Sequence, residues 1–184
     1  MIWFTADTHF GHDNIRLYCK RPFDSVQEMD EALIDRWNQV VKEEDTIWHL
    51  GDFCLGGENM AWRYLARLRG QIHFVLGGHD RRWASKLEGL THPIIEASLV
   101  TRKFDGVTVT LCHYPLASWE KSHYGAMHFH GHCHGTIGRI SPSADMQMPP
   151  GEMRGKRIDV GVDCWDFRPV CLGELMRIRE GEPR

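Results

Sequence analysis

The sequence predicts an α/β fold, and three observations predict it. Short β-type runs alternate with amphipathic helical stretches as far as residue 76. Alternation of that kind argues for βαβ units around a sheet. The first three β runs each stop at a polar step, the second and third with glycine: Asp7-Thr8-His9, Gly51-Asp52 and Gly77-Gly78-His79-Asp80. In α/β sheets ligands gather at the carboxyl ends of strands, so the chemistry falls where such a fold would put it. The second half then turns to strands, announced by Asp105-Gly106 between two β runs.

The elements follow in order. Ile2 to Ala6 is a β run ending at Asp7. Ser25 to Val41 is the clearest helix: Ser25 and Glu28 form a capping box, and Val26, Met29, Leu33, Trp37 and Val40 make one apolar stripe. Thr46 to Leu50 is a second strand. A helix from Asn59, read as its cap, to about Arg69 turns Met60, Tyr64, Leu65 and Leu68 inward and arginines outward. Gln71 to Leu76 is a third strand. Ser98 to Lys103 and Val107 to Cys112 flank Asp105-Gly106 as a hairpin. Met127 to His130 leads into Gly131-His132-Cys133-His134. Residues 141–157 are rich in Pro, Gly, Ser and Met and read as a long exposed loop, either a surface insertion or a flap over the site. Arg157 to Val162 is a last strand, and Leu172 to Arg179 a final strand or helix.

Whole-chain properties narrow the function classes. The 184 residues are read as a single domain, 1–184. A chain of that size buries roughly 70% of its unfolded surface. A net charge of -3 gives no basic footprint, so strong general nucleic-acid binding is not expected. Arg63, Arg67, Arg69, Arg81 and Arg82 form either a local basic patch or, more commonly for such side chains, solvated helix faces. Six cysteines, at 19, 54, 112, 133, 164 and 171, lack a CxxC pair and read as thiols of a reducing compartment. No secretory pattern opens the chain, and no apolar run approaches the ~20 residues of a membrane span. A cytoplasmic protein that does not enter membranes is therefore expected.

Asp7, His9, Asp52, His113, His132 and His134 supply carboxylates and imidazoles beside glycine or at the ends of apolar runs. Asp7 and His9 are two apart, as are His132 and His134; in extended chain that spacing aims both side chains one way. Asp52 follows a glycine, and its two oxygens suit it to bridge two ions. Mixed Asp and His ligands leave Mn, Fe and Zn as candidate cations. A lone strand-end His is more often a surface or hydrogen-bonded residue; the ordered combination carries the signal. His12 and Asn14 are candidate phosphate contacts or simply a polar turn. His128 and His130 face one way on their strand and either line a pocket or pack in the core. Tyr114, Trp119 and His123 either stack a nucleobase or cover the core. His49, His73 and His92 are read as structural or surface residues.

In this order the motifs resemble the calcineurin-like metallophosphoesterase superfamily, whose pattern is D-x-H, G-D, G-N-H-[DE], a lone H, and G-H-x-H. They stand here as Asp7-Thr8-His9, Gly51-Asp52, Gly77-Gly78-His79-Asp80, His113 and Gly131-His132-Cys133-His134. The resemblance implies a four-layer αββα sandwich of two mixed β-sheets flanked by helices, with a dinuclear metal centre. It implies that Asp7, His9, Asp52 and His134 hold one divalent ion. Asp52, the side chain at position 78, His113 and His132 would hold the other. It makes His79 the general acid and Asp80 the residue that orients it. The implied reaction is phosphate-ester hydrolysis by a metal-bridging hydroxide, with Mn first among the metals and Fe or Zn as alternatives. A phosphodiester, nucleotide-like substrate is favoured over a phosphomonoester. A reading from another class is a protein-binding scaffold with an impaired metal site.

Gly78 departs from the family pattern, which places Asn there as a ligand of the second metal and a contact to substrate phosphate. Three readings stand open: an engineered substitution, a natural one with water filling the gap, or another side chain standing in. Weaker second-metal occupancy and reduced activity are expected from the missing amide.

Overall fold

The structure is a computed structural model and describes residues 1–87, 93–137, 140–142 and 156–180. Its elements run β1 (Ile2–Thr5), α1 (Asp13–Tyr18), α2 (Val26–Val40), β2 (Thr46–His49), α3 (Glu58–Leu65), β3 (Gln71–Phe74), α4 (Arg81–Leu87) and β4 (Ile94–Ile95). They continue with β5 (Leu99–Phe104), β6 (Val107–Cys112), β7 (Met127–His130), β8 (Ile140–Pro142), β9 (Lys156–Asp159), β10 (Val170–Cys171) and α5 (Leu172–Glu180).

The strands form two five-stranded sheets, ordered β10-β1-β2-β3-β4 and β5-β6-β7-β9-β8. β1 to β4 pair in parallel, with β10 antiparallel on the edge. In the second sheet β6, β7 and β9 are parallel, flanked by antiparallel β5 and β8. Both sheets are mixed, and the α/β sandwich expected from the resemblance is present.

Strand alternation explains how one sheet serves two cores. Trp3, Ile47, Ile72 and Phe74 point to one side, where they pack with Met29, Leu33 and Trp37 of α2 and Tyr64 of α3. Phe4, Trp48, Leu50 and Val75 point to the other side, against Val109, Leu111, Met127 and Phe129 of the second sheet. Burial on both faces is why these strands read as near-continuous apolar runs. α5 packs through Leu172, Leu175 and Ile178 into the second cluster. Truncating a side chain such as the fully buried Trp37 would cost about 3–5 kcal/mol.

Several local readings needed correction. Ser25 does cap α2, accepting from the Glu28 N–H at 3.1 Å, but the Glu28 carboxylate reaches past it to the Asp24 N–H at 2.7 Å. Asn59 is not a cap: α3 starts at Glu58, and the Gly57 carbonyl accepts the Met60 and Ala61 N–H groups from an extended backbone. α3 also ends earlier than Arg69, at Leu65. The Asp13-Asn14 pair opens a short helix instead of a turn. Leu172 onward is helical. The expected loop 141–157 is bounded by strands, since Ser141 pairs with Arg157 and Pro142 with Lys156; the rest of that segment, and His92, lie outside the described residues. The hairpin holds: Asp105 and Gly106 both have positive φ, 48° and 80°, as a two-residue primed turn requires. The arginine cluster takes its solvated reading, with Arg67 on Glu31 and Arg69 3.5 Å from Glu43.

Candidate metal centre

Five of the six residues read as ligands sit in the left-handed backbone region: Asp7 (φ 58°), His9 (51°), Asp52 (56°), His132 (69°) and His134 (47°). This overturns the geometric premise for the D-x-H and H-x-H spacings, because neither segment is extended. Each strand ends and the chain kinks, and the kinks aim the side chains inward. Non-glycine residues in this region cost of order 1 kcal/mol or more, and they persist where the surroundings over-determine them.

The surroundings here are tight. A Cβ on Gly77 would lie 2.4 Å from Asp52 Oδ1, and one on Gly131 2.6 Å from Asp7 Oδ2. The motif glycines thus let neighbouring backbone press against the two carboxylates. Asp7 is fully buried and accepts the His132 N–H at 3.1 and 2.9 Å. Asp52 Oδ1 accepts the His79 N–H at 2.9 Å.

Four groups of converging side chains result among the described residues, His9 with Asp52 and His79 among them, and two hold the expected ligands. Asp7, His9 and His134 have ligand atoms within 4.8 Å of one another, and so do Asp52, His113 and His132. Asp52 joins them: its Oδ2 is 3.7 Å from His9 Nε2 and 3.5 Å from His113 Nε2. His113 Nδ1 donates to the Leu50 carbonyl at 2.8 Å, which leaves Nε2 facing Asp52. Both ring nitrogens of His9 and Nε2 of His113 are buried without a hydrogen-bond partner. Buried imidazole nitrogens without partners are costly, and a cation would satisfy them. The residues present therefore fit a pair of divalent ions.

Electrostatics point the same way. Burial drives the Asp7 carboxyl up to about 7, against the pull of His134 and His113. Burial also opposes charge on Asp52, but His113 and the His79 N–H outweigh it and hold this carboxyl well below the usual range. Burial lowers His9 far below an ordinary imidazole. Burial would lower His134 too, yet its contact with Asp163 reverses that and lifts it to about 10. Burial thus pushes Asp7 and His9 toward their neutral forms, while Asp52 and His134 keep charge through a partner.

The other expected residues divide. His79 is half-exposed, with Nε2 3.9 Å from Asp52 Oδ2 and its ring 5.3 Å from that of His9. Asp80 does not hold the His79 ring: its buried carboxylate accepts N–H groups of Asp52, Gly77 and Phe53 at 2.8 to 2.9 Å. It fastens the second and third strand ends together. His12 lies by the site, its ring 5.5 Å from His9 and 5.8 Å from His79. Asn14 is exposed on α1 and in neither ligand group.

Gly78 is exposed, and a Cβ there would meet only the Tyr114 hydroxyl, at 3.4 Å. No neighbour crowds a side chain there, unlike at Gly77. Tyr114 leans over the second group, its ring 4.8 Å from His113 and 4.7 Å from His132. Trp119, by contrast, is buried on His128 and donates to the Ala126 carbonyl, so it covers the core. His128 and His130 are wholly buried; His128 binds the Thr110 carbonyl and the Leu116 N–H, His130 Nδ1 donates to the Gly131 carbonyl, and neither is in a ligand group. His49 is likewise internal, bonded to Thr8, with burial lowering it to about 3.

Sequence reasoning missed Arg21 and Asp163. The signal for Asp163 was present: Gly161-Val162-Asp163 follows a β run much as Gly51-Asp52 does.

The calcineurin-like phosphoesterase superfamily domain matches residues 1–160. The chain belongs to that superfamily. It is thereby placed among metallophosphoesterases, hydrolases of phosphate esters that bind divalent metals. It is 33% identical over 181 residues to the uncharacterized protein MJ1445 of Methanocaldococcus jannaschii, covering 97% of this chain and 91% of that protein. It is 27% identical to the Gene 66 protein of Mycobacterium phage L5, over 89% of this chain and 86% of that one. The solved structure of AQ665 from Aquifex aeolicus, a protein of unknown function, shares the fold at a TM-score of 0.70 and 23% identity, covering 97% of this chain and 98% of that one. Among the described residues no helix is long and apolar enough to cross a membrane.

Proposed function

We propose that this metallophosphoesterase hydrolyses phosphodiesters at a dinuclear centre. The observation that carries the reading is the pair of ligand groups joined through Asp52, with buried imidazole nitrogens left unpartnered where the groups meet. Asp7, His9, Asp52 and His134 would hold one ion, and Asp52, His113 and His132 the other. Two divalent cations, manganese first and iron or zinc next, would neutralise phosphate charge and acidify a water when bound.

The chain's own groups do the rest. His79 stands half-exposed at the rim, placed to give a proton to the leaving oxygen. Asp80 keeps the His79 loop against Asp52 by its three backbone bonds. His12 lies on the same side and is a substrate-side contact. The Tyr114 hydroxyl, the atom nearest a side chain at position 78, supplies a hydrogen-bond donor to phosphate where the family's Asn is missing. Exposed His79, Gly78 and Tyr114 leave an open mouth that suits a small nucleotide-like diester. Its setting is a reducing, cytoplasmic one, in keeping with six cysteines.

The test is the ratio of bis(p-nitrophenyl) phosphate to p-nitrophenyl phosphate turnover with Mn²⁺. A diester preference supports the proposal, and a strong monoester preference replaces it with a phosphomonoesterase. A folded protein with no bound metal and no manganese-stimulated hydrolysis would make it a scaffold on the same fold.

A further inference from the structure

Arg21 is wholly buried, and all five of its guanidinium N–H bonds have acceptors. Nε donates to Asp163 Oδ1 at 2.8 Å, and Nη2 to Asp163 Oδ2 at 2.8 Å. The remaining hydrogens go to the Asp7 carbonyl at 2.7 Å, the Thr8 carbonyl at 3.0 Å and Met29 Sδ at 3.4 Å. One cation thus grips the backbone of the D-x-H kink and, in a two-pronged ion pair, a carboxylate from the far end of the chain. Bidentate pairs of this kind fix orientation as well as charge.

Asp163 passes that order on. Its Oδ2 also accepts from His134 Nδ1 at 2.7 Å. Nδ1 is therefore spent on Asp163, and the nitrogen left to face Asp7 and His9 is Nε2. The segment that carries Asp163 is anchored independently: the Val162 N–H bonds the Ala6 carbonyl at 3.0 Å, and a Cβ on Gly161 would lie 2.7 Å from Asp7 Oδ2. Asp163 lies beyond residues 1–160, the span that matches the family, and in none of the five motifs.

Cys19, His134 and Asp163 also have donor atoms within 4.8 Å of one another. A metal there is disfavoured, because the Arg21 guanidinium already occupies both oxygens of Asp163. A second cation would face that charge at close range.

We propose that Asp163, clamped by Arg21, is a positioning residue: it fixes the tautomer and orientation of His134 so that Nε2 is offered to the first metal. The Arg21 clamp couples that ring to the Asp7 kink, so two ligands of one ion share a single brace. This inference rests on the two-metal reading above. Partners behind a metal-bound His are typically worth about 10–100-fold in metal affinity or activity.

The experiment is Mn²⁺ titration calorimetry on the chelator-treated protein, wild type against Asp163→Ala and Asp163→Asn, with metal-free Tm recorded for each. Asp163→Ala is expected to weaken the tighter site about 10–100-fold. Asp163→Asn keeps an acceptor oxygen and is expected to fall between. Wild-type affinity in folded Asp163→Ala overturns the inference and leaves the two-metal reading standing. A wild-type chain that takes up no metal overturns both. Should the variants not fold, ¹⁵N-histidine NMR of the Zn²⁺-loaded wild type decides: His134 protonated at Nδ1 and bound through Nε2 is expected, and binding through Nδ1 overturns the proposal.

Discussion

Asp7, His9 and His134 form one ligand group; Asp52, His113 and His132 form the other, from the same edge of the two sheets. In the first, Asp7 and His9 are buried, and His134 is held from behind by Asp163 and Arg21. In the second, His113 is fixed by Leu50, but His132 is exposed. Position 78 contributes no side chain, and a tyrosine hydroxyl stands beside it. The first group is thus buried and braced, and the second is the more open. Their difference lies in the groups behind the ligands, since both use carboxylate and imidazole donors alike.

The largest effect should come from removing what the two groups share. Asp52→Asn takes one charge from both, and kcat/KM should fall roughly 10³-fold, as several kcal/mol of charge stabilisation implies. Metal analysis should show both equivalents weakened; loss of only one would break the bridging role.

Asp7→Asn probes the buried group alone. The folded pKa of Asp7 is about 7 against an ordinary 3.8, so the metal-free fold holds a proton that the unfolded chain releases. Its favourable contribution is complete below pH 4 and disappears as pH rises to about 7. Metal-free Asp7→Asn should therefore match wild type at pH 4. At pH 8 it should be more stable, by roughly 4 kcal/mol, in denaturant unfolding. A variant less stable than wild type at pH 8 would contradict the raised carboxyl.

The second group is sharpened by Gly78→Asn. The space beyond Gly78 is open apart from the Tyr114 hydroxyl, so the substitution should be accommodated. Second-metal occupancy and kcat should rise, kcat by about tenfold, equivalent to roughly 1.4 kcal/mol. No change in either would mean that the group is already complete. The smallest effect belongs to Tyr114→Phe, which keeps the ring on His113 and His132 and removes only the hydroxyl. Loss of one hydrogen bond to phosphate should lower kcat/KM about fivefold, near 1 kcal/mol, with metal content unchanged. In a Gly78→Asn background that penalty should shrink.

Much of this was legible in the residues. Asp7, Asp52, His113, His132 and His134 stand at strand ends because periodicity and glycine mark those ends. The Asp105-Gly106 hairpin could be read for the same reason. The kinked backbone could not, because Asp and His carry no mark of a positive φ; the i, i+2 spacing suggested extended chain, and kinks bring these side chains together instead. Asp80 was expected from the family resemblance to orient the His79 ring, while its carboxylate turns to backbone N–H groups of the second and third strand ends. Arg21 and Asp163 are separated by 142 positions, and only the closing of the sheets brings them together.

That separation bears on how the protein is made. During synthesis Asp7, His9 and Arg21 leave the ribosome early, His134 late, and Asp163 later still. The brace behind His134 cannot form until the last of these has emerged. A nascent chain therefore holds only a loose, incomplete first ligand group until the Gly161-Val162-Asp163 segment docks.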